Sequence, residues 1–132
     1  MKYLIDTDIL IHHLMNNPKV VAKFKSTDYD DMATSMINYM ELLFGAYHSE
    51  RKEENLRRIK NFLDNIRIIN MNKKSAEIFA QTKAKLKKQR NLIPDMDMMI
   101  ASICLANDLI LVTNNTKHFQ RIEGLSLKNW IL

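Results

Sequence analysis

Acidic and amide side chains stand at four places in this sequence where a predicted strand ends or a predicted helix begins. Such oxygen ligands bind hard cations such as Mg²⁺ and Mn²⁺. Clustered carboxylates repel one another unless a cation joins them, so convergence of these residues predicts a divalent-metal site. The candidates are Asp6 and Asp8 in YLIDTDIL, Glu41 in NYMELLFGA, Asp95 and Asp97 in IPDMDMMIAS, and Thr113, Asn114 and Asn115 in LVTNNTKHF.

Each of these residues also has a purely structural explanation. If a helix begins at Thr7, Asp8 lies in its first turn and interacts favourably with the helix dipole. If the extended chain continues through Thr7, Asp6 and Asp8 share one face. Asn38 and Glu41 have the spacing of a capping box, and Asp95 suits a helix N-cap. No single position therefore decides between a cap and a ligand.

The hydrophobic pattern predicts the elements that position these side chains. Short apolar runs predict strands at 2–5, 32–37, 67–70 and 109–113, with a weaker one at 125–128. Helical periodicity predicts helices at 9–15, 18–25, 39–47 continuing into 50–66, 72–90 and 97–107. Strands that alternate with helices favour an α/β fold with a mainly parallel sheet covered on both faces. Sites in such folds lie at the carboxyl ends of the strands.

Length and composition restrict the classes of protein that the sequence can encode. The 132 residues predict a single domain, 1–132, and the net charge of +5 favours an acidic partner such as nucleic acid. Cys104 is the only cysteine, so we expect no internal disulfide and a cytoplasmic location. No apolar stretch is long enough to cross a bilayer, so no membrane partner is expected. The histidines lack the spacing of zinc ligands.

The ordered motifs resemble those of a known family. YLIDTDILI, NYMELLFGA and IPDMDMMIASICLANDLILVTNNTKHFQRIEGLSLKNW are similar, in order and spacing, to a PIN-domain ribonuclease, most closely the toxin of a VapBC toxin–antitoxin system. The resemblance covers essentially the whole chain. It implies a three-layer α/β/α fold and a metal-dependent endoribonuclease that uses Mg²⁺ or Mn²⁺.

The resemblance also implies residue roles and partners. Asp6, Glu41 and Asp97 match the family's metal-binding catalytic acids, and Asp8, Asp95 and Asn115 are accessory candidates. Asn115 stands where many members have a fourth acid, which removes one negative charge from the site. The family further implies an RNA substrate such as tRNA, a VapB-type antitoxin and a homodimer. DNA would be contacted only indirectly, through the antitoxin complex.

Basic residues near the predicted site are candidates for binding the RNA. Lys83, Lys87 and Arg90 in KAKLKKQR are predicted to lie along one helical face that leads into the Asp95–Asp97 segment. We include Thr113 with them as an RNA-binding candidate. A solvated surface stripe is the ordinary alternative for the basic residues. Phosphate binding would instead use their charge to hold the substrate backbone.

Two other functions remain open from the sequence. The segment DTDIL also resembles the motif of a haloacid-dehalogenase-like phosphatase, in which Asp6 would be the nucleophile and Asp8 the acid. Against that resemblance, Leu10 stands where that motif normally has Thr or Val, and no Gly precedes the late acids. The other alternative is a non-enzymatic binding module whose carboxylates serve only as helix caps. An Asp97→Asn substitution distinguishes these functions, because it should abolish nuclease activity and leave folding nearly intact.

Overall fold

A five-stranded sheet forms the centre of the computed structural model, which describes all 132 residues. Its strands are β1 (Tyr3–Ile5), β2 (Met32–Ser35), β3 (Arg67–Ile69), β4 (Ile110–Val112) and β5 (Leu127–Lys128). They are arranged in the order β3-β2-β1-β4-β5, and every neighbouring pair is parallel. All five predicted strands are confirmed, each one or two residues shorter than the apolar run that predicted it.

The connections between the strands are helical. The helices are α1 (Thr7–Leu14), α2 (Pro18–Lys25), α3 (Met36–Tyr47), α4 (Lys52–Leu63), α5 (Lys73–Lys88), α6 (Asp95–Ala106) and α7 (Thr116–Phe119), with a 3-10 turn at Tyr29–Asp31. The prediction for α2 is confirmed to the residue. The predicted continuation of 39–47 into 50–66 is instead two helices separated by a turn, and α7 was not predicted. No helix is both long and apolar enough to cross a membrane.

Two hydrophobic cores cover the two faces of the sheet. Because side chains alternate along a strand, Leu4 of β1 enters one core and Ile5 enters the other. The first core is filled mainly from α6, with Leu86 of α5 and Phe119 of α7, and the second receives side chains from α1, α2, α3 and α4. The predicted three-layer α/β/α architecture is therefore confirmed.

The start of α3 differs from the sequence prediction. Ser35, at the end of β2, is the N-cap, and its hydroxyl oxygen accepts from the Asn38 backbone N–H at 3.1 Å. The Asn38 side chain accepts from the Ser35 backbone N–H at 3.3 Å, which completes a capping box one turn earlier than predicted. The prediction that Asn38 caps this helix with Glu41 was wrong, because the helix begins as soon as β2 ends. Glu41 consequently has no capping role.

The strand order reverses its direction at β1, which is where a binding site is expected in an open parallel sheet. The chain passes from β1 to β2 on one side and later returns to β4 on the other side, so the direction of winding reverses at β1. In open parallel sheets, ligands bind outside the carboxyl ends of the strands at this reversal. Asp6 and Thr113 directly follow β1 and β4 at that edge.

Candidate active site

Asp6 is the most buried carboxylate at this edge, with 7% of its surface exposed. As the N-cap of α1 it accepts through Oδ1 from the Thr7 backbone N–H at 2.9 Å. The Asn38 amide also donates to Oδ1 at 2.9 Å, and the Thr113 hydroxyl donates to Oδ2 at 2.7 Å. Asp6 is thus both a cap and the point where β1, α3 and β4 are joined.

Asp8 lies in the first turn of α1, so of the two geometries left open by the sequence the helical one is found. Its Oδ1 accepts from the Ile9 backbone N–H at 2.7 Å. Its Oδ2 accepts from the Asn114 backbone N–H at 3.0 Å, which ties the start of α1 to the loop after β4. The helix position therefore keeps Asp8 beside Asp6 at the same edge.

Glu41 reaches this edge from the second turn of α3. Its Oε1 accepts from the Thr7 hydroxyl at 2.6 Å, and the Thr7 oxygen in turn accepts from the Asn38 amide at 3.0 Å. Since Asn38 also donates to Asp6, one amide and one hydroxyl connect the two carboxylates. Thr7 and Asn38 therefore fix the positions of the Asp6 and Glu41 carboxylates relative to each other.

Asp97 enters from the first turn of α6 and is held by a histidine. The Nδ1 atom of His118, on α7, lies 2.8 Å from Asp97 Oδ2, and the Asn115 amide nitrogen lies 3.0 Å from the same Nδ1. The Asn115 backbone N–H donates to the Thr113 hydroxyl oxygen at 3.0 Å. This chain of contacts connects Asp97 to the segment that also holds Asp6.

Burial and neighbouring negative charges raise the pKa values of carboxylates in this site. Burial, together with the negative charges of Asp8 and Glu41, raises the pKa of Asp6 to about 7 against the lowering effect of the Thr113 hydrogen bond. Burial also raises the pKa of Asp8 and of Glu41, and the charges of Asp97 and Asp8 add to the shift at Glu41. A cation bound among such carboxylates would offset this repulsion.

The donor set fits a divalent cation. None of the four carboxylates forms an ion pair with a lysine or arginine, and among them only Asp97 contacts a histidine, His118. Oxygen ligands of this kind match Mg²⁺ and Mn²⁺. In this structure each carboxylate is turned onto a protein partner, and no three acidic, histidine or cysteine side chains form a complete cation cage. The carboxylates would therefore have to reorient in order to bind one cation together.

Asp95 and Arg90 do not lie where the sequence predicted. Asp95 is the first residue of α6 rather than its cap, and its half-exposed carboxylate pairs with Lys83 at 3.0 Å instead of facing the other acids. Lys83 and Lys87 lie on α5, but Arg90 lies beyond the end of that helix with φ +55°. Their prediction as one continuous helical face is therefore wrong at Arg90.

Thr113 has no exposed surface, and its hydroxyl is engaged by Asp6. It is therefore corrected from an RNA-binding candidate to a residue that positions a carboxylate.

Thr7, Asn38 and His118 were missed as site residues by the sequence analysis. Thr7 stands between two candidate acids, and that position is the signal that could have identified it. Asn38 was interpreted only as a cap. His118 lies on a short helix that was not predicted, and its isolated position showed no ligand spacing.

The phosphatase alternative does not fit the geometry of Asp6. A nucleophilic carboxylate needs an oxygen that can approach a phosphorus atom, whereas both Asp6 oxygens accept hydrogen bonds from within the fold. The residue is also almost completely buried. The arrangement suits a carboxylate that is held in place rather than one that attacks.

Comparison with known proteins identifies the family. The PIN domain family model matches residues 3–125. A Haemophilus influenzae protein named ribonuclease VapC2 is 35% identical over 131 residues, covering 99% of each chain. A Shigella flexneri protein named tRNA(fMet)-specific endonuclease VapC is 33% identical over 130 residues, covering 98% of each chain.

Solved structures agree with this result. The structure of VapBC2 from Rickettsia felis, bound to a DNA fragment from its promoter, matches with a TM-score of 0.90 at 30% identity, over 98% of this chain and 99% of that one. DNA-bound VapBC from Salmonella typhimurium matches with a TM-score of 0.92 at 29% identity, over 98% of both chains. The chain belongs to the PIN domain family and, within it, resembles the VapC ribonucleases along its whole length.

Proposed function

We propose that this protein is a metal-dependent endoribonuclease, the toxin of a type II toxin–antitoxin system, with Mg²⁺ or Mn²⁺ held by Asp6, Glu41 and Asp97. The observation that carries the proposal is that these carboxylates reach the same edge of the sheet from three separate segments, without a neutralising lysine or arginine. Asp8 is an accessory ligand at the same edge. The Asn115 amide faces His118 Nδ1 and adds no fourth negative charge to the site.

The protein's own residues have distinct tasks in this reaction. Thr113, Asn38 and the Thr7 backbone fix both oxygens of Asp6, while the Thr7 hydroxyl fixes one oxygen of Glu41. When bound, the cation supplies positive charge toward the scissile phosphate and acidity toward the attacking water. The carboxylate oxygens that have no protein partner are the candidate acceptors for the water's proton. The mechanism requires no protein nucleophile.

The substrate and partners are proposed from the relatives. Because one relative is named a tRNA(fMet)-specific endonuclease, we propose a structured RNA, and first of all a tRNA, as the substrate. Because the structural relatives are VapBC complexes, two of them with DNA, we propose a VapB-type antitoxin that mediates DNA contact. Exposed Met40, Phe44 and Tyr47 on α3 offer apolar surface for the antitoxin or for a second copy of the chain.

The proposal is tested with purified, antitoxin-free protein and a pool of tRNAs and other structured RNAs. Reactions contain Mg²⁺, Mn²⁺ or EDTA, and the ends of the products are mapped by sequencing. The variants are Asp97→Asn and, as a matched control, Asp108→Asn. Asp108 is exposed, and its φ of +53° is one that asparagine also adopts, so this control changes a carboxylate to an amide outside the site.

The proposal predicts discrete cleavage by wild type and by Asp108→Asn, with none in EDTA or by Asp97→Asn. Cleavage that persists in EDTA or in Asp97→Asn would contradict the proposed site. Absence of cleavage by folded, antitoxin-free wild type across the whole pool would favour a binding module.

A further inference from the structure

We propose that His118 is a positioning residue that holds Asp97 in the orientation needed to bind the cation; the inference rests on the proposed function. His118 and Asp97 come from different helices, α7 and α6, and meet at 2.8 Å between Nδ1 and Oδ2. Neither the family resemblance nor the histidine spacing assigned His118 any role.

The contact leaves one oxygen of Asp97 available. His118 occupies Oδ2, and Oδ1 makes no hydrogen bond within the protein. Only 18% of the Asp97 side chain is exposed, so the carboxylate cannot turn freely into solvent. A cation is then left with a single, oriented oxygen from this residue. Fixing one carboxylate oxygen through an outer hydrogen bond is a general way of orienting a metal ligand.

His118 is itself held firmly. The next residue, Phe119, has no exposed surface and packs into the core beneath the sheet, and Ile122 is buried beside it. The short helix α7 is therefore anchored from one side, which presents His118 toward α6. An imidazole on an anchored backbone holds its partner more precisely than a long exposed side chain would.

The contact between His118 and Asp97 determines which ring nitrogen of His118 carries a proton. An ionised carboxylate can only accept, so His118 must carry a proton on Nδ1 to bond Asp97. The Asn115 amide nitrogen faces the same Nδ1 at 3.0 Å, and it can donate there only when Nδ1 carries no proton. Asn115 thus competes with Asp97 for this nitrogen, and a cation that keeps Asp97 ionised would favour the Asp97 contact. His118 acts through Asp97 and is not itself a catalytic residue.

The test measures metal binding directly, without reference to cleavage. Full-length, antitoxin-free protein stripped with EDTA is titrated with Mn²⁺, and free Mn²⁺ is followed by electron paramagnetic resonance. The variants are His118→Ala, which removes the donor, and His118→Asn, whose side-chain nitrogen lies near the place of Nδ1. His48→Ala is the matched control, because His48 is exposed at the end of α3 and stacks on Phe44. Urea denaturation checks that each variant is folded.

We expect His118→Ala to weaken Mn²⁺ binding about 10-fold, the usual effect of losing an outer hydrogen-bond partner of a metal ligand. His118→Asn should remain within roughly threefold of wild type, because it keeps the donated hydrogen bond. Binding by His118→Ala equal to that of wild type overturns this inference and leaves the proposed function standing. Equal weakening in the Ala and Asn variants also overturns it. Failure of folded wild type to bind Mn²⁺ contradicts the proposed function itself.

Discussion

Thr113 donates its hydroxyl to Asp6 at 2.7 Å across a separation of 107 residues in the chain. The two residues follow β4 and β1, the neighbouring parallel strands at which the direction of winding reverses. Both are buried, so the hydrogen bond joins two strand ends and at the same time fixes a carboxylate. The fold and the proposed metal site therefore depend on the same contact.

Replacing Thr113 by Val should weaken both stability and metal binding. The change keeps the shape of the buried side chain and removes its hydroxyl, leaving Oδ2 of Asp6 without its donor. We expect a loss of about 1–3 kcal/mol in the free energy of unfolding, typical of a hydrogen bond to a charged group. Urea denaturation gives the stability, and Mn²⁺ titration gives the affinity.

The control is Thr34→Val. Thr34 is equally buried, and its hydroxyl donates at 2.8 Å to the backbone oxygen of Ile5 rather than to a carboxylate. It should lower stability by about 1 kcal/mol and leave Mn²⁺ affinity unchanged. If both variants lose affinity to the same extent, Thr113 has no specific role in the site.

Asp6→Asn should stabilise the protein in the absence of divalent metal. The pKa of Asp6 is raised from 3.8 to about 7 in the fold, so the folded chain keeps a proton that the unfolded chain releases earlier. Wild-type stability therefore falls as the pH rises from 3.8 to about 7, and the charged carboxylate destabilises the fold above that. The amide variant lacks this penalty, which outweighs the loss of the hydrogen bond that Oδ2 accepts from Thr113, and we expect it to be roughly 2 kcal/mol more stable at about pH 8.

Urea unfolding in EDTA over a range of pH checks this prediction. The difference between Asp6→Asn and wild type should disappear near pH 3.8, where the pKa difference no longer contributes. A variant that is less stable than wild type at every pH would show that the charge of Asp6 is already compensated within the protein.

His13→Phe should stabilise the protein, most strongly in mild acid. The His13 ring packs on Phe24 at a tilt and stacks on Phe62, at centroid distances of 4.2 and 4.6 Å, and its buried Nδ1 has no hydrogen-bond partner. Burial lowers the pKa of His13 below its usual 6.5, so below that pH the unfolded chain binds a proton that the folded chain resists. Wild-type stability is lost as the pH falls through this range.

A phenylalanine has neither the unpaired ring nitrogen nor a group that binds a proton in acid. We expect a gain of about 1 kcal/mol at about pH 8, and a larger gain at about pH 5.5. The urea midpoint of both proteins, measured at these two pH values, provides the test. A constant difference between the two proteins at both pH values would mean that His13 does not titrate with unfolding.

Lys87→Ala should weaken RNA binding without changing the carboxylates. Lys87 lies near the end of α5, close to the chain segment that leads into α6, whereas Lys83 on the same helix is paired with Asp95. Loss of one phosphate contact should lower the affinity for RNA roughly threefold. It should also reduce the slope of log affinity against log salt concentration by about one. Filter binding of RNA to the Asp97→Asn protein, at several salt concentrations, measures both quantities.

Lys60→Ala is the matched control, because Lys60 is an exposed lysine on α4, which packs on the opposite face of the sheet. An equal effect of the two lysines would indicate that only net charge matters.

The strands and most helices could be predicted because their hydrophobic patterns are strong. The start of α3 could not, since both Ser35–Asn38 and Asn38–Glu41 have the spacing of a capping box, and the choice depends on where β2 stops pairing with β3. The short helix α7 has too few residues for its periodicity to be recognised. Its burial depends on Phe119, whose partners are distant in the chain.

The candidate acids could be predicted from residue type and from their places beside strand ends. Their supporting residues could not, because Thr7, Asn38 and His118 act through contacts 21 to 34 residues away in the chain. The sequence also could not predict that Asp95 and Asp97 contact different partners. Both residues lie in the first turn of α6, where Asp97 meets His118 of α7 and Asp95 meets Lys83 of α5, and the packing of α5 and α7 against α6 determines these partners.

RNA cleavage by this protein is expected to require a cation held by the carboxylates of Asp6, Glu41 and Asp97. The most direct test of this requirement is the single-turnover cleavage rate on the best-cleaved RNA, measured against Mn²⁺ concentration for wild type, Asp97→Asn and Asp108→Asn. We expect saturable Mn²⁺ dependence for wild type and Asp108→Asn, and a rate at least roughly 100-fold lower for Asp97→Asn. A wild-type rate that is independent of Mn²⁺ and unaffected by EDTA, or full activity in Asp97→Asn, would contradict it.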